Sequence, residues 1–239
     1  MKIAFTFTIL LELCIVRAQP TLFDQGRWKS VKEVKAALPC CGATATILLL
    51  VSQKTTGYGG AGQPMRDVDL IILVGGKTAY RFTNANPPEK NGSRYFLDDS
   101  LDIRDVTGDG VPEVLFHSGT QGASGFHEIE HILRYDQSRE TYLDITTEPL
   151  HNASRHAVRW LTARKQEFAI VADENFKPST PLTGRCHYCP SPFRYDVYVW
   201  SNQRNTFVVF RRVCGKASYT TPVEALTGDW PLIQAAIGR

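Results

Sequence analysis

Two short segments of the chain carry residue types that could do chemistry, and the first is an acidic loop. Asp105, Thr107, Asp109 and Glu113 stand at alternate positions of RDVTGDGVPEVLF, and the backbone carbonyl of Val111 completes the series. Calcium takes about six to eight hard oxygen ligands, and alternate residues of a tight, glycine-containing turn can all point at one centre. The loop therefore predicts a calcium site made by Asp105, Thr107, Asp109, Val111 and Glu113. The alternative is a solvated Asp-Gly turn that holds no ion.

The second segment, HEIEH at residues 127–131, matches the His-Glu-x-x-His pattern of zinc peptidases. In that pattern, His127 and His131 would bind zinc and Glu128 would act as the general base, which requires a helix. On a strand, the two histidines share one face and the glutamates share the other, so the catalytic arrangement cannot form. We expect a strand here and no catalytic residues. A zinc metallopeptidase is the alternative function.

Cysteine use suggests disulfides, because the chain also carries a predicted export signal. Outside that signal there are five cysteines: Cys40, Cys41, Cys186, Cys189 and Cys214. A bond from Cys40 or Cys41 to Cys214 would tie the ends of the domain together, and Cys186 and Cys189 could close their own loop. A redox or zinc role for that Cys-x-x-Cys pair is the alternative. One thiol is left without an assignment.

The first 18 residues have the composition of a signal peptide. Lys2 precedes an apolar run, and Val16-Arg17-Ala18 offers a small-residue cleavage site. The run is too short for a stable membrane anchor. We therefore expect a secreted or periplasmic protein without membrane insertion, with lipidation at Cys14 as the alternative.

The charge balance argues against a nucleic-acid partner. The formal net charge is +3, from 27 basic and 24 acidic residues. Binding to a phosphate backbone needs a concentrated basic patch, and the sequence contains none.

Three repeated units must position these residues. Each unit reads as strand, loop, strand, tight turn and strand, and the units begin near Thr46, Glu113 and Glu167. Gly75-Gly76 marks the tight turn of the first unit. A small antiparallel meander cannot bury its apolar face alone, so neighbouring units must stack face to face.

The flanking segments read differently. Trp28, Val31, Val34 and Leu38 are spaced as on a helix, which predicts an N-terminal helical segment over residues 19–42. The repeated β-meander domain then covers residues 43–215. A C-terminal tail over residues 216–239 contains a further short helix in DWPLIQAAIG.

The acidic loop and the strands after it resemble a known family. LDIRDVTGDGVPEVLF, followed by GASGFHEIEHILRYD, is similar to a blade of the FG-GAP and VCBS-type calcium-binding β-propeller repeats, over roughly Asp102 to Ile145. In that family an Asp-x-x-Gly-Asp-Gly-x-x-Glu loop binds calcium and feeds the next strand. The resemblance implies a mainly β, propeller-like fold that binds other macromolecules and is not an enzyme. Because only one acidic loop is present, a partial propeller or an open stack of three sheets remains possible.

The expected function is that of an exported calcium-binding scaffold for a protein or another extracellular macromolecule. By analogy of fold alone, inhibition of a cell-wall hydrolase, or immunity to one, is one such role. The glycine-rich loops Gly57–Gly62 and Gly119–Gly125 are the predicted contact surfaces. A structural module with no ligand but calcium is the alternative.

Overall fold

Antiparallel strands make up most of the chain. The computed structural model describes residues 23–54, 57–58, 64–65, 67–83, 94–97, 101–122, 125–147, 150, 158–173 and 190–238. The predicted signal peptide, Cys186 and Cys189 lie outside these residues, as does most of the Gly57–Gly62 loop. Within the described residues, neither short helix is long and apolar enough to cross a membrane.

The strands form three main sheets. The first sheet has the order β1-β2-β5-β6, with strands β1 (Trp28–Leu38), β2 (Ala43–Ser52), β5 (Val68–Val74) and β6 (Lys77–Thr83). A separate two-stranded ribbon, β3 (Gly57–Tyr58) and β4 (Pro64–Met65), lies between β2 and β5 in the chain.

The second sheet has the order β11-β10-β9-β7. Its strands are β7 (Arg94–Leu97), β8 (Asp102–Arg104), β9 (Glu113–Gly122), β10 (Gly125–Asp136) and β11 (Thr141–Asp144). Strands β7 and β8 pair with different parts of β9, so together they take the place of one edge strand.

The third sheet has the order β12-β13-β14-β15 and is followed by two helices. Its strands are β12 (Val158–Ala163), β13 (Gln166–Asp173), β14 (Ser191–Ser201) and β15 (Thr206–Tyr219). The helices are α1 (Pro222–Gly228) and α2 (Trp230–Gly238).

The sheets stack in the order first, second, third, and each interface is an apolar core. Ile47 and Leu70 of the first sheet pack against Phe116 and Leu133 of the second. On the opposite face of the second sheet, Ile132 belongs to a core shared with the third sheet. The far face of the third sheet is covered by α1 and α2. The middle sheet is therefore buried on both faces, as the prediction of stacked meanders requires.

The three predicted units are confirmed as meanders, and each gains a strand at its start. Strands β2, β5 and β6 form the first unit, β9 to β11 the second, and β13 to β15 the third. Gly75 and Gly76 have φ values of +57° and +78°, as a tight hairpin turn requires. The predicted Gly119–Gly125 loop is shorter than expected, since β9 and β10 stay paired up to Gly122 and Gly125.

The predicted N-terminal helix is wrong, because residues 28–38 form strand β1. From Lys32 to Leu38 the burial alternates with period two, and β1 pairs along its length with β2. An irregularity between Ser30 and Lys32 puts Trp28 on the outer face, while Ala36 and Leu38 face the second sheet. This change of face produced the apparent helical spacing. Pairing with the β-branched strand β2 decides the conformation.

At the other end of the chain, the predicted C-terminal helix is confirmed as α2, and α1 precedes it. Helix α1 begins with a capping box, in which the Thr221 hydroxyl accepts from the Glu224 amide and the Glu224 carboxylate accepts from the Thr221 amide. Strand β15 continues to Tyr219, beyond the predicted domain boundary at residue 215.

Candidate metal centre

The acidic loop connects β8 to β9, and one apolar side chain anchors it to the core. Val106 is buried in the core between the second and third sheets. Gly108 and Gly110 have φ values of +73° and +84°, in the left-handed region that favours glycine. The chain therefore turns tightly around the Asp105 side chain and enters β9 at Glu113, as predicted.

Asp105 organises the backbone of the loop. Its Oδ1 accepts hydrogen bonds from the amides of Gly108 (2.7 Å) and Asp109 (3.2 Å), and its Oδ2 accepts one from the amide of Gly110 (2.8 Å). These three donors fix the carboxylate without using all of its acceptor positions, since an ionised carboxylate has about four. The side chain can therefore hold the loop and bind a cation at the same time.

Glu113 closes the loop from inside. Its side chain is fully buried, and its Oε2 accepts a hydrogen bond of 2.8 Å from the Val106 amide. Its Oε1 accepts from the Thr107 hydroxyl at 3.0 Å. The Thr107 hydroxyl donates its hydrogen bond to Glu113, and the lone pairs of its oxygen stay available to a cation. The Val111 amide donates to Asp109 Oδ1 at 2.9 Å.

Three of the predicted ligands converge. Asp105, Asp109 and Glu113 each offer a carboxylate oxygen, and these oxygens lie within 4.8 Å of one another. Hard carboxylate oxygens at this spacing suit a cation of the calcium class, with ligand distances of about 2.3–2.6 Å. The residues present fit such an ion.

Arg134 of β10 is a member of this site that the loop sequence does not indicate. Its guanidinium forms an ion pair with Asp109, and its Nε lies 4.0 Å from Glu113 Oε1. One guanidinium cannot balance Asp105, Asp109 and Glu113 when all three carboxylates are ionised. Burial, followed by the charge of Asp109, raises the pKa of Glu113 to about 7 against the opposing effect of its hydrogen bonds.

A cleft of about 380 Å³ borders the loop. One wall is formed by residues 105–108, and the other by the β12–β13 turn and the end of β14. Arg104, which directly precedes the loop, forms an ion pair of 3.4 Å with Glu167 of the opposite wall. Glu167 also accepts a hydrogen bond of 2.5 Å from the Thr162 hydroxyl. The conformation of the acidic loop thus shapes one side of the cleft.

The HEIEH segment lies within β10, so it forms the predicted strand. His131 faces the first sheet, where it stacks on Phe116 and its Nδ1 lies 2.8 Å from Asp144 Oδ2. Glu130 faces the third sheet, where it pairs with His117 and accepts a hydrogen bond of 3.2 Å from Trp160 Nε1. The helix required by the zinc-peptidase alternative is not formed.

The predicted disulfide between the ends of the domain is absent. Cys40, Cys41 and Cys214 are free and exposed. Cys40 and Cys41 lie in the turn between β1 and β2, whereas Cys214 lies in β15 of the third sheet. These cysteines therefore lie in different parts of the fold and are not bonded to one another.

Comparisons of this chain with known proteins give no match to a protein-family model, a curated protein or a solved structure. Functional inference therefore depends on the site itself.

Proposed function

We propose that this chain is an exported, calcium-stiffened β scaffold that binds another macromolecule through the cleft beside its acidic loop. The observation that carries the proposal is the convergence of the Asp105, Asp109 and Glu113 oxygens within 4.8 Å. The calcium would be structural and would keep this edge of the second sheet in one conformation.

The electrostatics of the loop support a bound divalent cation. Without one, the carboxylates repel one another, and the raised pKa of Glu113 reflects the cost of ionising a buried acid beside Asp109. A divalent cation would favour ionised Glu113 and offset the negative charge that Arg134 leaves uncompensated. Because carboxylate ligands must be ionised, the affinity for calcium should rise with pH.

The link from metal to partner is preorganisation. The loop forms one wall of the cleft, and the Arg104–Glu167 ion pair connects it to the third sheet. A loop that is already ordered loses less conformational entropy when a partner binds. Calcium bound by Asp105 and Asp109 would therefore increase the affinity of the cleft without touching the partner.

The stacking of the sheets is consistent with a propeller-like arrangement. Three consecutive antiparallel meanders pack face to face, which is how the blades of a propeller pack. We propose a partial propeller, in which α1 and α2 cover the outer face of the last blade.

The partner that fits this cleft is a protein with a polar contact surface. Lys165, Gln166, Glu167 and Asn202 line it with donors, acceptors and charges of both signs. Paired charges and amides favour a specific protein contact over a uniformly charged polymer. A secreted enzyme, such as a cell-wall hydrolase inhibited by this chain, is the partner class we would test first. N-terminal sequencing of the exported protein should find cleavage after Ala18.

The partner is tested by affinity capture from secreted proteins of the same source, in calcium and in chelator. We expect a protein that is captured in calcium, released by chelator and lost with Lys165→Glu. Arg164→Glu is the matched control, because Arg164 is the preceding exposed turn residue, also has a positive φ, and does not line the cleft. Capture that is insensitive to both calcium and Lys165→Glu would refute the proposed use of the cleft.

A further inference from the structure

Arg134 is in contact with both the acidic loop and a side chain of the neighbouring cleft. Its guanidinium forms an ion pair with Asp109, and its Nε lies 4.0 Å from Glu113 Oε1. The central carbon of the same guanidinium lies 6.0 Å from the centre of the Trp200 ring. Trp200 belongs to β14 and lines the cleft. A movement of this one guanidinium would therefore change the loop and the cleft together.

The Asp109 carboxylate is the point where Arg134 and a metal ion would compete. Asp109 Oδ1 accepts from the Val111 amide at 2.9 Å, and its Oδ2 accepts from the Arg134 guanidinium. Among the described residues, Arg134 is the one cationic side chain that pairs with a carboxylate of the candidate metal centre. It therefore supplies the counter-charge of the loop when no ion is bound.

A guanidinium and a divalent ion on the same carboxylate repel each other. A calcium ion lies about 2.3–2.6 Å from its oxygen ligands, so it would stand only a few ångströms from a guanidinium on Asp109. Two positive charges so close are unfavourable even in a partly exposed site. The Arg134 side chain is 31% exposed and flexible, so its guanidinium can leave Asp109 without any change in β10.

Trp200 offers the displaced guanidinium a fixed second position. The indole N–H donates to Asn202 Oδ1 at 2.9 Å, and the ring packs edge-on against Phe207 with 5.2 Å between the ring centres. Only 7% of Trp200 is exposed. A guanidinium within about 6 Å of an indole ring is attracted to its face. Arg134 already lies at this limit, so a small movement completes the contact.

We propose that Arg134 is an exchangeable counter-cation, an inference that rests on the proposed calcium-dependent function. In the metal-free protein Arg134 pairs with Asp109. Calcium takes its place on the carboxylate, and the guanidinium moves onto the Trp200 ring at the cleft. The calcium-bound cleft then presents an additional positive group, which fits a carboxylate on the partner protein. Because coupling is reciprocal, a partner that binds Arg134 at the cleft strengthens calcium binding by the same factor.

Calorimetric calcium titrations of the full chain and its Arg134 variants test the competition. Arg134→Met keeps an apolar side chain but removes a positive charge next to the ion, so it should bind calcium about tenfold more tightly than the parent. Arg134→Lys keeps the charge and should bind as the parent does. Arg139→Met is the matched control, because Arg139 lies in the exposed β10–β11 turn and pairs with Asp136. It should leave the calcium affinity unchanged.

Nuclear magnetic resonance of the ¹⁵N-labelled full chain tests the movement itself. The Arg134 Nε–H signal is identified by its loss in Arg134→Lys, and the Trp200 indole N–H signal by its loss in Trp200→Phe. Calcium should shift both signals in the parent, whereas the Trp200 signal should stay in place in Arg134→Met.

The outcomes separate this inference from the function on which it rests. If the parent binds no calcium, the calcium site and the exchange are both refuted. If the parent binds calcium but Arg134→Met binds it no more tightly, or if calcium leaves the Arg134 Nε–H signal unmoved, the exchange alone is refuted.

Discussion

Replacing Glu113 by glutamine should flatten the pH dependence of stability of the metal-free protein. The pKa of Glu113 is raised from 4.5 to about 7, mainly by burial. A carboxyl group whose pKa is higher in the folded state favours folding while it is protonated. Its contribution is complete below the unfolded pKa and is lost as the pH rises through the folded pKa.

The size of this effect follows from the shift in pKa. Each pKa unit corresponds to about 1.4 kcal/mol, so a rise from 4.5 to about 7 is worth about 3.5 kcal/mol. Most of this loss, about 2.5 kcal/mol, falls between roughly pH 5 and pH 8. Glutamine imitates the protonated acid, because its carbonyl can still accept from the Val106 amide and its NH₂ group can donate to the Thr107 hydroxyl.

The assay is urea denaturation in chelator between pH 5 and pH 8. We expect the free energy of unfolding of the parent, minus that of Glu113→Gln, to fall by about 2.5 kcal/mol between pH 5 and pH 8. Glu33→Gln, which removes an exposed carboxylate of β1, is the control for loss of a negative charge. A difference that stays constant or grows with pH would refute the burial argument.

Two further substitutions test the acidic loop and the contact of the α1–α2 junction with the third sheet. Gly110→Ala and Gly76→Ala both place a side chain at positive φ, with no other atom within 4 Å, so each should cost about 1 kcal/mol in urea denaturation. Only Gly110→Ala should also weaken calcium binding in a titration, and an equal effect of both would contradict the role of the loop. Asp229→Ala should cost about 3 kcal/mol in urea denaturation, because Asp229 accepts from the buried Tyr195 hydroxyl at 2.8 Å and the Tyr219 hydroxyl at 3.0 Å. Tyr219→Phe removes only one of these bonds and should cost about 1 kcal/mol; equal losses would argue against a shared acceptor.

The meanders could be predicted because their signals are local. β-branched runs such as residues 43–52 define strands, and Gly75-Gly76 defines a hairpin turn. The order in which the sheets stack depends on side chains far apart in sequence, such as Leu70 and Leu133 in one core. Local patterns do not contain that information.

Strand β1 shows why a spacing argument can fail. Trp28, Val31, Val34 and Leu38 fit a helical period, yet Val31 is half exposed and sits at the irregularity where the strand changes face. A bulge shifts the period-two pattern by one residue. The apolar positions before and after the bulge, taken together, then have a spacing close to that of a helix. Pairing with β2 is a tertiary interaction that outweighs local propensity.

The metal centre was predictable in part because most of its residues are close together in the sequence. Asp105, Asp109 and Glu113 lie within one loop, so their convergence follows from their spacing. Arg134 is brought to them by the pairing of β9 with β10, where Leu133 lies opposite Val114. That register, and therefore the counter-charge, can be known only from the folded sheet.

The most direct test of the calcium proposal is a calorimetric calcium titration of the chelator-treated full chain. We expect one equivalent to bind to the parent and none to bind to the double variant Asp105→Asn, Asp109→Asn when both proteins are folded by circular dichroism. No heat of binding to the parent at millimolar calcium, or undiminished binding to the double variant, would contradict the central claim.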